Sequence, residues 1–578
     1  MRPTDCNRSG CPNPDRGTRK PETGRLHQGD EERSALDRAT HPDVCTRTTR
    51  NVRPSTARPI PPTDAATMTG MGYIAVYDVG TTAVKAALTR EDGSLLATAT
   101  SEPMPIHDAD GRQEQDPDDW DLAFRNATRA VFAQAAQADV TFTHGIGSSA
   151  ILGVIMSGQM QDVIALDEHL LPVRRAILYS DGRARAQARR IADAVGDDAF
   201  ASLSGNRAEG SLPLAKLMWL AEHEPRSWSR VRHVLFDAKD YLVARLTGVP
   251  SGDIVACSTS GAMNIVTRRW DDRLVSPSGV DPALLPALHA PDERIGVVTP
   301  DAAARYSLPA GTPVYAGIGD AGATTLASGV TRPGDYNINL GTSGWIAAVS
   351  KASITDRPGV ANLAYLTPDS VINGVPFLNA GNVHRWSTSV FAEDYASMTE
   401  LLARSAPGSN GVRCLPYLAG ERFPVMNEAV RGAFVGITPE TTAADLARAT
   451  LEGVAFSIAQ GLASLPDPPA EITLVGGGAR ERLWCQIMAD VLDHEVTVVD
   501  NADIMPAMAL SALVLRERGA LCSLDHVSRW LRERRTGERY VPDPQDARAY
   551  RALAEGQRAL YPATAGLYAR PDSQGASR

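Results

Sequence analysis

The sequence of 578 residues lacks a long apolar run and a basic charge excess. No stretch approaches the roughly 20 apolar residues needed to span a bilayer, and no hydrophobic run of the signal-peptide kind stands near the N-terminus. Lys and Arg number 58 against 68 Asp and Glu, which gives a formal net charge of -10. Since phosphate-rich surfaces do not attract an acidic protein, nucleic acid and anionic membrane are excluded as main partners. We expect a soluble, cytoplasmic protein.

The paired Cys-x-x-Cys spacing of structural zinc sites is also missing. Three of the seven cysteines stand near the N-terminus with two histidines between them, and we do not expect them to bind zinc: Cys6, Cys11, His27, His41 and Cys45. The other four are scattered, and we expect reduced, buried thiols: Cys257, Cys414, Cys485 and Cys522.

Lysine is rare, since 53 of the 58 basic residues are arginines. A compact ammonium on a flexible stem has uses that a guanidinium lacks, so each remaining lysine is a candidate for a special role, with chance retention as the alternative. The five are Lys20, Lys85, Lys216, Lys239 and Lys351.

Residues 1–71 differ from the rest of the chain. They are rich in Arg, Thr, Pro and Asp and almost free of aliphatic side chains. Such a segment cannot bury enough apolar surface to offset the entropy of ordering, so we expect disorder. Because Met68 and Met71 stand just before the first clear strand, we interpret this segment as an extension upstream of the natural start.

From residue 73 onward, strand-like runs alternate with amphipathic helical stretches, which favours an α/β fold. Two segments of the sequence are similar to each other: DVGTTAVKAAL at 78–88 and NLGTSGWIAAV at 339–349. In each copy a Gly-Thr turn separates two short apolar runs, which predicts a β-hairpin. The break ASGVTRPGDYN precedes the second copy. We therefore predict two similar domains across a cleft, 72–328 and 329–565, and a flexible tail over 566–578.

The two turns suggest a phosphate site. Outward N–H groups and hydroxyls at a strand end suit a phosphate group, and Lys85 can add positive charge. The first copy begins with Asp78 and the second with Asn339. A carboxylate makes sense there if Mg²⁺ lies between it and the phosphates, so we predict a metal at the charged turn. Two ordinary hairpins are the alternative.

A third glycine cluster stands in EITLVGGGARERLWCQIMADVL, where Gly476–Gly478 follow a strand-like run and precede a helical one. This order brings backbone close to a nucleotide, although tight packing alone also selects glycine. No G-x-x-x-x-G-K-[ST] occurs, which excludes a P-loop, and the cluster is not a G-x-G-x-x-G fingerprint.

Asp320 follows the strand-like run VYAGIG and is surrounded by small residues. An aspartate in this place can cap a helix. It can equally act as the base that phosphate transfer requires near the attacking hydroxyl. The residues alone leave the two roles open.

In order along the chain, these segments resemble the FGGY carbohydrate kinases. The likeness covers about residues 72–565 and includes two family signatures, SLPLAKLMWLAEH at 211–223 and GAFVGITPETTAADLARATLE at 432–452. LPYLAGERFPVMNEAVRG, VGGGARERLWCQIMADVL and the two Gly-Thr turns are also similar to family motifs. The resemblance implies a duplicated actin-like, hexokinase-like ATPase fold with two domains around a cleft. It implies transfer of the ATP γ-phosphoryl group to a sugar or polyol hydroxyl, and it is compatible with a homodimer.

The resemblance also implies roles. Asp320 would be the catalytic base and Asp78 the carboxylate associated with Mg²⁺. We interpret Lys216 and Lys239, which lie in family segments, as structural. ATP would be bound by the two turns, one lysine and the glycine cluster: Gly80, Thr81, Thr82, Lys85, Gly341, Thr342, Ser343, Gly477 and Gly478.

On the sugar side, SGQM at 157–160 followed by LPVRRAILYSDGRA is similar to the xylulose kinases of this family, which implies D-xylulose or a related ketose as acceptor. Their motif usually continues with His, where this chain has Gln161, and then with Gly, where it has Asp162. Glu481, near the glycine triplet, replaces the usual serine. The implied sugar residues are Met160, Gln161, Asp181 and Arg183.

Three alternatives stay open. A gluconate or polyol kinase would keep the mechanism and change the cleft lining, and LPYLAGER is similar to gluconate kinases. A catalytically inactive sugar-sensing protein on the same fold should have lost Asp78 or Asp320. A chaperone-type or filament-forming ATPase of the actin-like fold should not match the sugar-kinase signatures.

Overall fold

The structure is a computed structural model that describes residues 53–54, 72–102, 106–109, 112–139, 142, 151–357 and 359–568. The N-terminal cysteines and histidines, the two candidate start methionines and residues 569–578 lie outside this part, and the predictions made for them stay predictions.

The first of two large sheets is built around the first Gly-Thr hairpin. Tyr73–Val79 pairs antiparallel with Val84–Arg90, and Ile151–Gly158 runs parallel on the other side of Tyr73–Val79. Ile318–Gly319 also pairs with Ile151–Gly158. Apart from Ile318–Gly319, the strand order of this sheet is Arg53–Pro54, Leu95–Ser101, Val84–Arg90, Tyr73–Val79, Ile151–Gly158, Pro313–Tyr315 and Arg294–Val297.

The second large sheet repeats this arrangement. Asp335–Leu340 pairs antiparallel with Gly344–Ser350 to form the second Gly-Thr hairpin, and Glu471–Val475 runs parallel beside Asp335–Leu340. Both predicted hairpins and the duplicated α/β fold are therefore confirmed. The strand order is Ala361–Ala364, Val371–Phe377, Gly344–Ser350, Asp335–Leu340, Glu471–Val475, Val496–Val498 and Arg539–Tyr540.

Smaller sheets complete the described part. A five-stranded sheet carries the sugar-side motif and has the order His233–Asp237, Met160–Leu166, Ala176–Ile177, Arg112–Gln115 and His107–Ala109. The two-stranded pairs are Ser251–Asp253 with Ala287–His289, Met263–Asn264 with Arg269–Trp270, and Arg413–Leu415 with Ala433–Val435.

Helices cover the sheets, and none in the described part is both long and apolar enough to cross a membrane. Those before the second hairpin are Pro117–Ala138, Arg185–Val195, Asp197–Ser204, Pro213–His223, Pro225–Trp228, Ala238–Thr247, Ile254–Cys257, Asp272–Val275, Pro300–Tyr306 and Asp320–Ala327. Those after it are Gly381–Phe391, Tyr395–Leu402, Ala443–Leu462, Arg482–Leu492, Met505–Glu517, Leu524–Arg534, Pro544–Arg558 and Leu560–Thr564. The 3₁₀ turns are Ser276–Ser278, Pro282–Leu284, Ser409–Gly411, Gly477–Arg480 and Ala565–Tyr568.

One buried apolar cluster joins the two large sheets. Val76 of the first hairpin and Val349 of the second belong to it, together with Leu513 of the helix Met505–Glu517. Since apolar burial is the main favourable contribution to folding, this cluster fixes the two hairpins in one body.

The cysteine prediction holds in part. Cys257, Cys414 and Cys485 are free and buried, as expected, whereas Cys522 is free and exposed. The prediction of burial is wrong for Cys522 because this residue lies in the turn before the helix Leu524–Arg534, outside the apolar faces that bury the others.

Candidate active site

Asp78 and Asp320 lie at the same edge of the first sheet. The register places Asp78 opposite Ser157 of the neighbouring strand, and Ser157 opposite Ile318 of the next. Asp320 follows two residues later as the first residue of its helix. Strand register thus brings together two carboxylates that are 242 positions apart in the sequence.

The first turn leaves Asp78 half-buried and only partly engaged. The Ser157 hydroxyl donates to Asp78 Oδ1 at 2.9 Å, and Lys85 Nζ lies 3.5 Å from Asp78 Oδ2. The Lys85 side chain is two-thirds exposed, so this ion pair is weak and the ammonium is free to move to another anion. Gly80 N–H closes the turn on the Ala83 carbonyl at 3.1 Å, and Thr82 is exposed.

The carboxyl group of Asp320 has an unusual proton affinity. Its Oδ1 accepts from the Ala321 N–H at 2.7 Å, so it does not form the side-chain cap typical of an N-cap residue. The side chain is exposed in the cleft, yet the surrounding protein desolvates it, and together with the charge of Asp78 this raises the pKa of Asp320 to about 7. Because solvent still reaches this carboxyl, we expect a smaller shift in the open protein than in a cleft filled by substrate.

A divalent cation fits the Asp78 site. Mg²⁺ takes one or two carboxylates and completes its shell with water and phosphate oxygens, so a cage of protein ligands is not required. Among the described residues, Asp78 Oδ2 has the exposed Lys85 ammonium as its hydrogen-bond partner. The described residues contain no group of three or more His, Cys, Asp or Glu that could hold a metal ion.

The second turn is held by the helix that lies next to it in space. The N–H groups of Gly381 and Asn382 donate to the carbonyls of Gly341 and Thr342 at 2.7 and 3.0 Å. The carbonyls are thereby occupied, while the side chains of Thr342 and Ser343 stay exposed.

A cavity of about 570 Å³ adjoins the second turn and the glycine cluster, a volume suited to a nucleotide. It is lined by Leu340, Gly341, Thr342, Gly381, His384, Arg385, Tyr395, Ala396, Thr399, Gly477, Gly478, Arg480 and Glu481. The predicted strand, glycine, helix order is confirmed, with the 3₁₀ turn between strand and helix.

The glycines of the cluster differ in what they do. A Cβ on Gly477 would meet open space, whereas one on Gly478 would come within 2.7 Å of the Trp484 ring. Gly476 has φ +96°, a conformation that other residues rarely adopt. Gly478 and Gly476 are therefore required by packing and backbone, and Gly477 is the one that leaves room beside the cavity.

Glu481, which departs from the family pattern, is engaged by the protein. It caps the helix Arg482–Leu492 by accepting from the Leu483 N–H at 3.1 Å, and the Thr399 hydroxyl donates to its other oxygen at 2.5 Å. Glu481 is thus the N-cap of this helix.

On the sugar side, Met160 is buried and Gln161 is half-buried with φ 64°. This backbone turns the Gln161 carbonyl toward Lys216, whose Nζ donates to it at 3.1 Å and to the Leu178 carbonyl at 2.7 Å. Burial lowers the pKa of Lys216 to about 8. Lys216 therefore fixes the backbone of the motif, as a structural role requires.

Asp181 and Arg183 bind each other. Arg183 Nε and Nη2 donate to Asp181 at 2.9 and 2.5 Å, and Arg183 Nη2 also lies 2.8 Å from Glu114. The Gln113 N–H donates to Asp181 as well, so both carboxylate oxygens are occupied. The guanidinium carbon of Arg183 lies 4.8 Å from the centre of the Trp219 ring.

The buried carboxylates around Lys239 were not anticipated from the sequence. Lys239 Nζ lies 2.6 Å from both Asp240 and Asp253 and 3.5 Å from Asp237, all of them buried. Despite the cost of desolvation, the three carboxylates hold the pKa of Lys239 well above its usual value. The available signal was the pair Asp237 and Asp253, each of which caps a helix.

Comparisons with known proteins find a matching family and several relatives. The model of the N-terminal domain of the FGGY family of carbohydrate kinases matches residues 73–327, and that of its C-terminal domain matches 336–508. A xylulose kinase of Klebsiella pneumoniae is 31% identical over 462 residues, 76% of this chain and 89% of that protein. A gluconokinase of Bacillus subtilis is 27% identical over 498 residues, 83% of this chain and 94% of that protein.

Solved structures have the same fold. The xylulose kinase from Rhodospirillum rubrum superimposes with a TM-score of 0.76 at 28% identity, over 86% of this chain and 100% of that one. A gluconate kinase from Lactobacillus acidophilus gives a TM-score of 0.77 at 22% identity, over 86% of this chain and 99% of that one.

Proposed function

Because the chain belongs to the FGGY family of carbohydrate kinases and is therefore a sugar phosphotransferase, we propose that it transfers the γ-phosphoryl group of ATP to a hydroxyl of D-xylulose or a related ketose. The observation that carries the proposal is the placement of Asp78 and Asp320 at one sheet edge. A sensor that had lost catalysis would not need this pair.

Asp320 is the proposed base. It accepts the proton of the sugar hydroxyl as that oxygen bonds to the γ-phosphorus, and the bond from the γ-phosphorus to the bridging oxygen breaks to release ADP. A pKa near 7 suits this task, since a base works best when its pKa lies near the operating pH. Asp78 would hold Mg²⁺, which when bound neutralises charge on the phosphates.

ATP is proposed to lie between the two turns. Gly80, Thr81 and Thr82 with Lys85 form the first phosphate contact, and Gly341, Thr342 and Ser343 form the second. The cavity beside Gly477 and Gly478 is proposed for the adenosine. We keep 72–328 and 329–565 as the two domains, whose closure would exclude water from the transfer step. The cytoplasmic location and a homodimer remain predictions.

Two cations of the sugar side, Arg183 and Lys216, are already engaged by the protein, and this favours a neutral acceptor. Met160, Gln161, Asp181 and Arg183 are the proposed sugar residues. Arg183 is already neutralised by Asp181 and Glu114, and Lys216 is directed to two carbonyls. A gluconate carboxylate would need a cation to replace its hydration, whereas a ketose would not. The gluconate alternative is retained because a gluconokinase is among the relatives.

The test is ADP release by the purified protein with ATP and Mg²⁺ across xylulose, ribulose, gluconate, glycerol and several pentitols. We expect the strongest response from a ketose, with D320N protein as the background control. A response to gluconate alone would replace the proposed acceptor, and silence across the panel with ATP still bound would contradict the proposal.

A further inference from the structure

A buried row of side chains runs from the sugar-side strand to the first Gly-Thr turn. Gln115 Nε2 donates to the Thr81 carbonyl at 2.6 Å, and the Trp120 indole N–H donates to Gln115 Oε1 at 3.1 Å. Gln159 Nε2 donates to the same Gln115 Oε1 at 2.9 Å. Gln115 and Gln159 are 0% and 2% exposed, so protein partners must satisfy them.

The partners at one end of this row dictate the direction of every amide. A carbonyl only accepts and an indole N–H only donates, so Gln115 must present Nε2 to Thr81 and Oε1 to Trp120. Gln159 must then give its Nε2 to Gln115. Its Oε1 is left in need of a donor.

Two buried oxygens lack a partner at the other end. Gln159 Oε1 and Asp162 Oδ2 have no hydrogen-bond partner among the described residues. The Gln159 side chain lies against the Asp162 carboxyl, and Asp162 is fully buried with its Oδ1 accepting from the Tyr179 N–H at 3.0 Å. An ionised Asp162 offers Gln159 Oε1 no donor, because a carboxylate only accepts hydrogen bonds. One proton on Oδ2 satisfies both.

We propose that Asp162 keeps its proton in the folded protein and donates Oδ2–H to Gln159 Oε1, so that a one-directional hydrogen-bonded chain positions the first Gly-Thr turn. Asp162 is thus a positioning residue and does not touch the substrates. It stands beside Gln161, in the place where glycine is usual. The row of hydrogen-bonded side chains therefore links the sugar motif with the turn that contains Thr81. The positioning part rests on the proposed function, whereas the protonation does not.

The charges around Asp162 agree with a neutral carboxyl. Burial holds its pKa well above the ordinary value and the charge of Asp320 adds to the rise, although Lys216, the Tyr179 N–H and the contact with the Gln159 side chain act in the opposite direction. Lys216 directs its ammonium to backbone carbonyls. On the adjacent strand, Asp237 is paired with Lys239.

Thermal unfolding against pH, compared between wild type and D162N, tests the proton directly. Asparagine keeps a donor for Gln159 and an acceptor for Tyr179 and cannot ionise. An unfolded aspartate ionises above about pH 4, so a folded protein that retains this proton loses stability as pH rises from there through the raised pKa. We expect the Tm of D162N minus that of wild type to increase steadily over this window.

The control is D167N, at the end of the same strand. Backbone N–H groups of Leu171 and His169 lower the pKa of Asp167, so wild type should gain stability relative to D167N as pH rises. A Tm difference for D162N that is flat, or that has the same trend as D167N, would show an ionised Asp162 and overturn the proposal.

Kinetics test the positioning. D162L keeps the branched shape of the side chain but has neither a donor for Gln159 Oε1 nor an acceptor for the Tyr179 N–H. We expect KM for ATP to rise about tenfold, with a smaller change in KM for the sugar. D162N should restore most of the wild-type KM. Equal values for D162L and D162N would refute the positioning role. If no acceptor is phosphorylated at all, the proposed function fails, and the unfolding experiment still decides the proton.

Discussion

The first Gly-Thr hairpin has an aspartate opposite a serine of the neighbouring parallel strand, whereas the second has an asparagine opposite a valine of its parallel strand. The pairs are Asp78 with Ser157 and Asn339 with Val475. The Ser157 hydroxyl supports the charge of Asp78, whereas the Asn339 amide oxygen packs so closely on Gly476 that a Cβ there would come within 2.6 Å. The same backbone thus carries a charged site in one half and a packing contact in the other.

The two halves also differ in the segments that come after their parallel strands. Ile151–Gly158 leads into the sugar motif and is joined by the short strand that delivers Asp320. Glu471–Val475 leads into the glycine cluster and the large cavity. We infer that the first half supplies the base and the metal-associated carboxylate and the second half binds the adenosine, while both halves contact the phosphates. Substitutions in each half can test this division.

The largest effect is expected from removing the base of the first half. D320N should lower turnover about 10²- to 10⁴-fold, since the amide cannot accept the hydroxyl proton. ATP binding, measured by calorimetry, should stay close to that of wild type because the nucleotide cavity lies in the second half. Near-normal turnover would refute the assignment of the base.

Substitutions at Asp78 and Asn339 test whether the charge at the start of each turn determines the role of that turn. D78N should weaken Mg²⁺-dependent ATP binding and lower turnover about 10²-fold, through loss of electrostatic stabilisation. N339D places a charge against Gly476 and beside the proposed phosphates, and should weaken ATP binding about tenfold. Both can be followed by ATP titration at several Mg²⁺ concentrations. If ATP binding lost its dependence on Mg²⁺ to the same degree in N339D as in D78N, the two turns would be equivalent.

A smaller effect should appear in the pH profile. Since Asp320 must be deprotonated to act as a base, kcat/KM should fall as pH drops below about 7. The charge of Asp78 contributes to the raised pKa, so in D78N the residual activity should persist to lower pH. The measurement is the acid limb of kcat/KM in both proteins. An unchanged limb in D78N would mean that the two carboxylates do not interact.

Local patterns predicted those parts of the molecule whose determinants are adjacent in sequence. The hairpins followed from short apolar runs around a turn. The start of the helix Pro117–Ala138 is equally local, since Asp116 accepts from the Asp118 N–H and a proline follows it in the sequence. Capping and periodicity act over a few residues, so one chain reveals them.

Partners that are distant in sequence escaped prediction. Lys239 meets Asp253 through the packing of two helix starts, and Asp181 is closed off by the Gln113 N–H from another strand. Glu481 as a helix cap and the row from Thr81 to Asp162 depend on contacts of the same kind. Sequence suggested residue types for these positions, while tertiary packing decided which of their atoms were occupied.

The apolar cluster behind the two hairpins has a mechanical consequence. It contains Val76, Val349 and Leu513, and one polar link beside it joins the Thr89 and Ser511 hydroxyls at 2.7 Å. Apolar contacts are non-directional, so this cluster holds the two sheets together through contacts that have no preferred angle. Ile318 and Val475 belong to it and stand just before Asp320 and the glycine cluster, so a change in the angle between the sheets would move the proposed base relative to the nucleotide cavity.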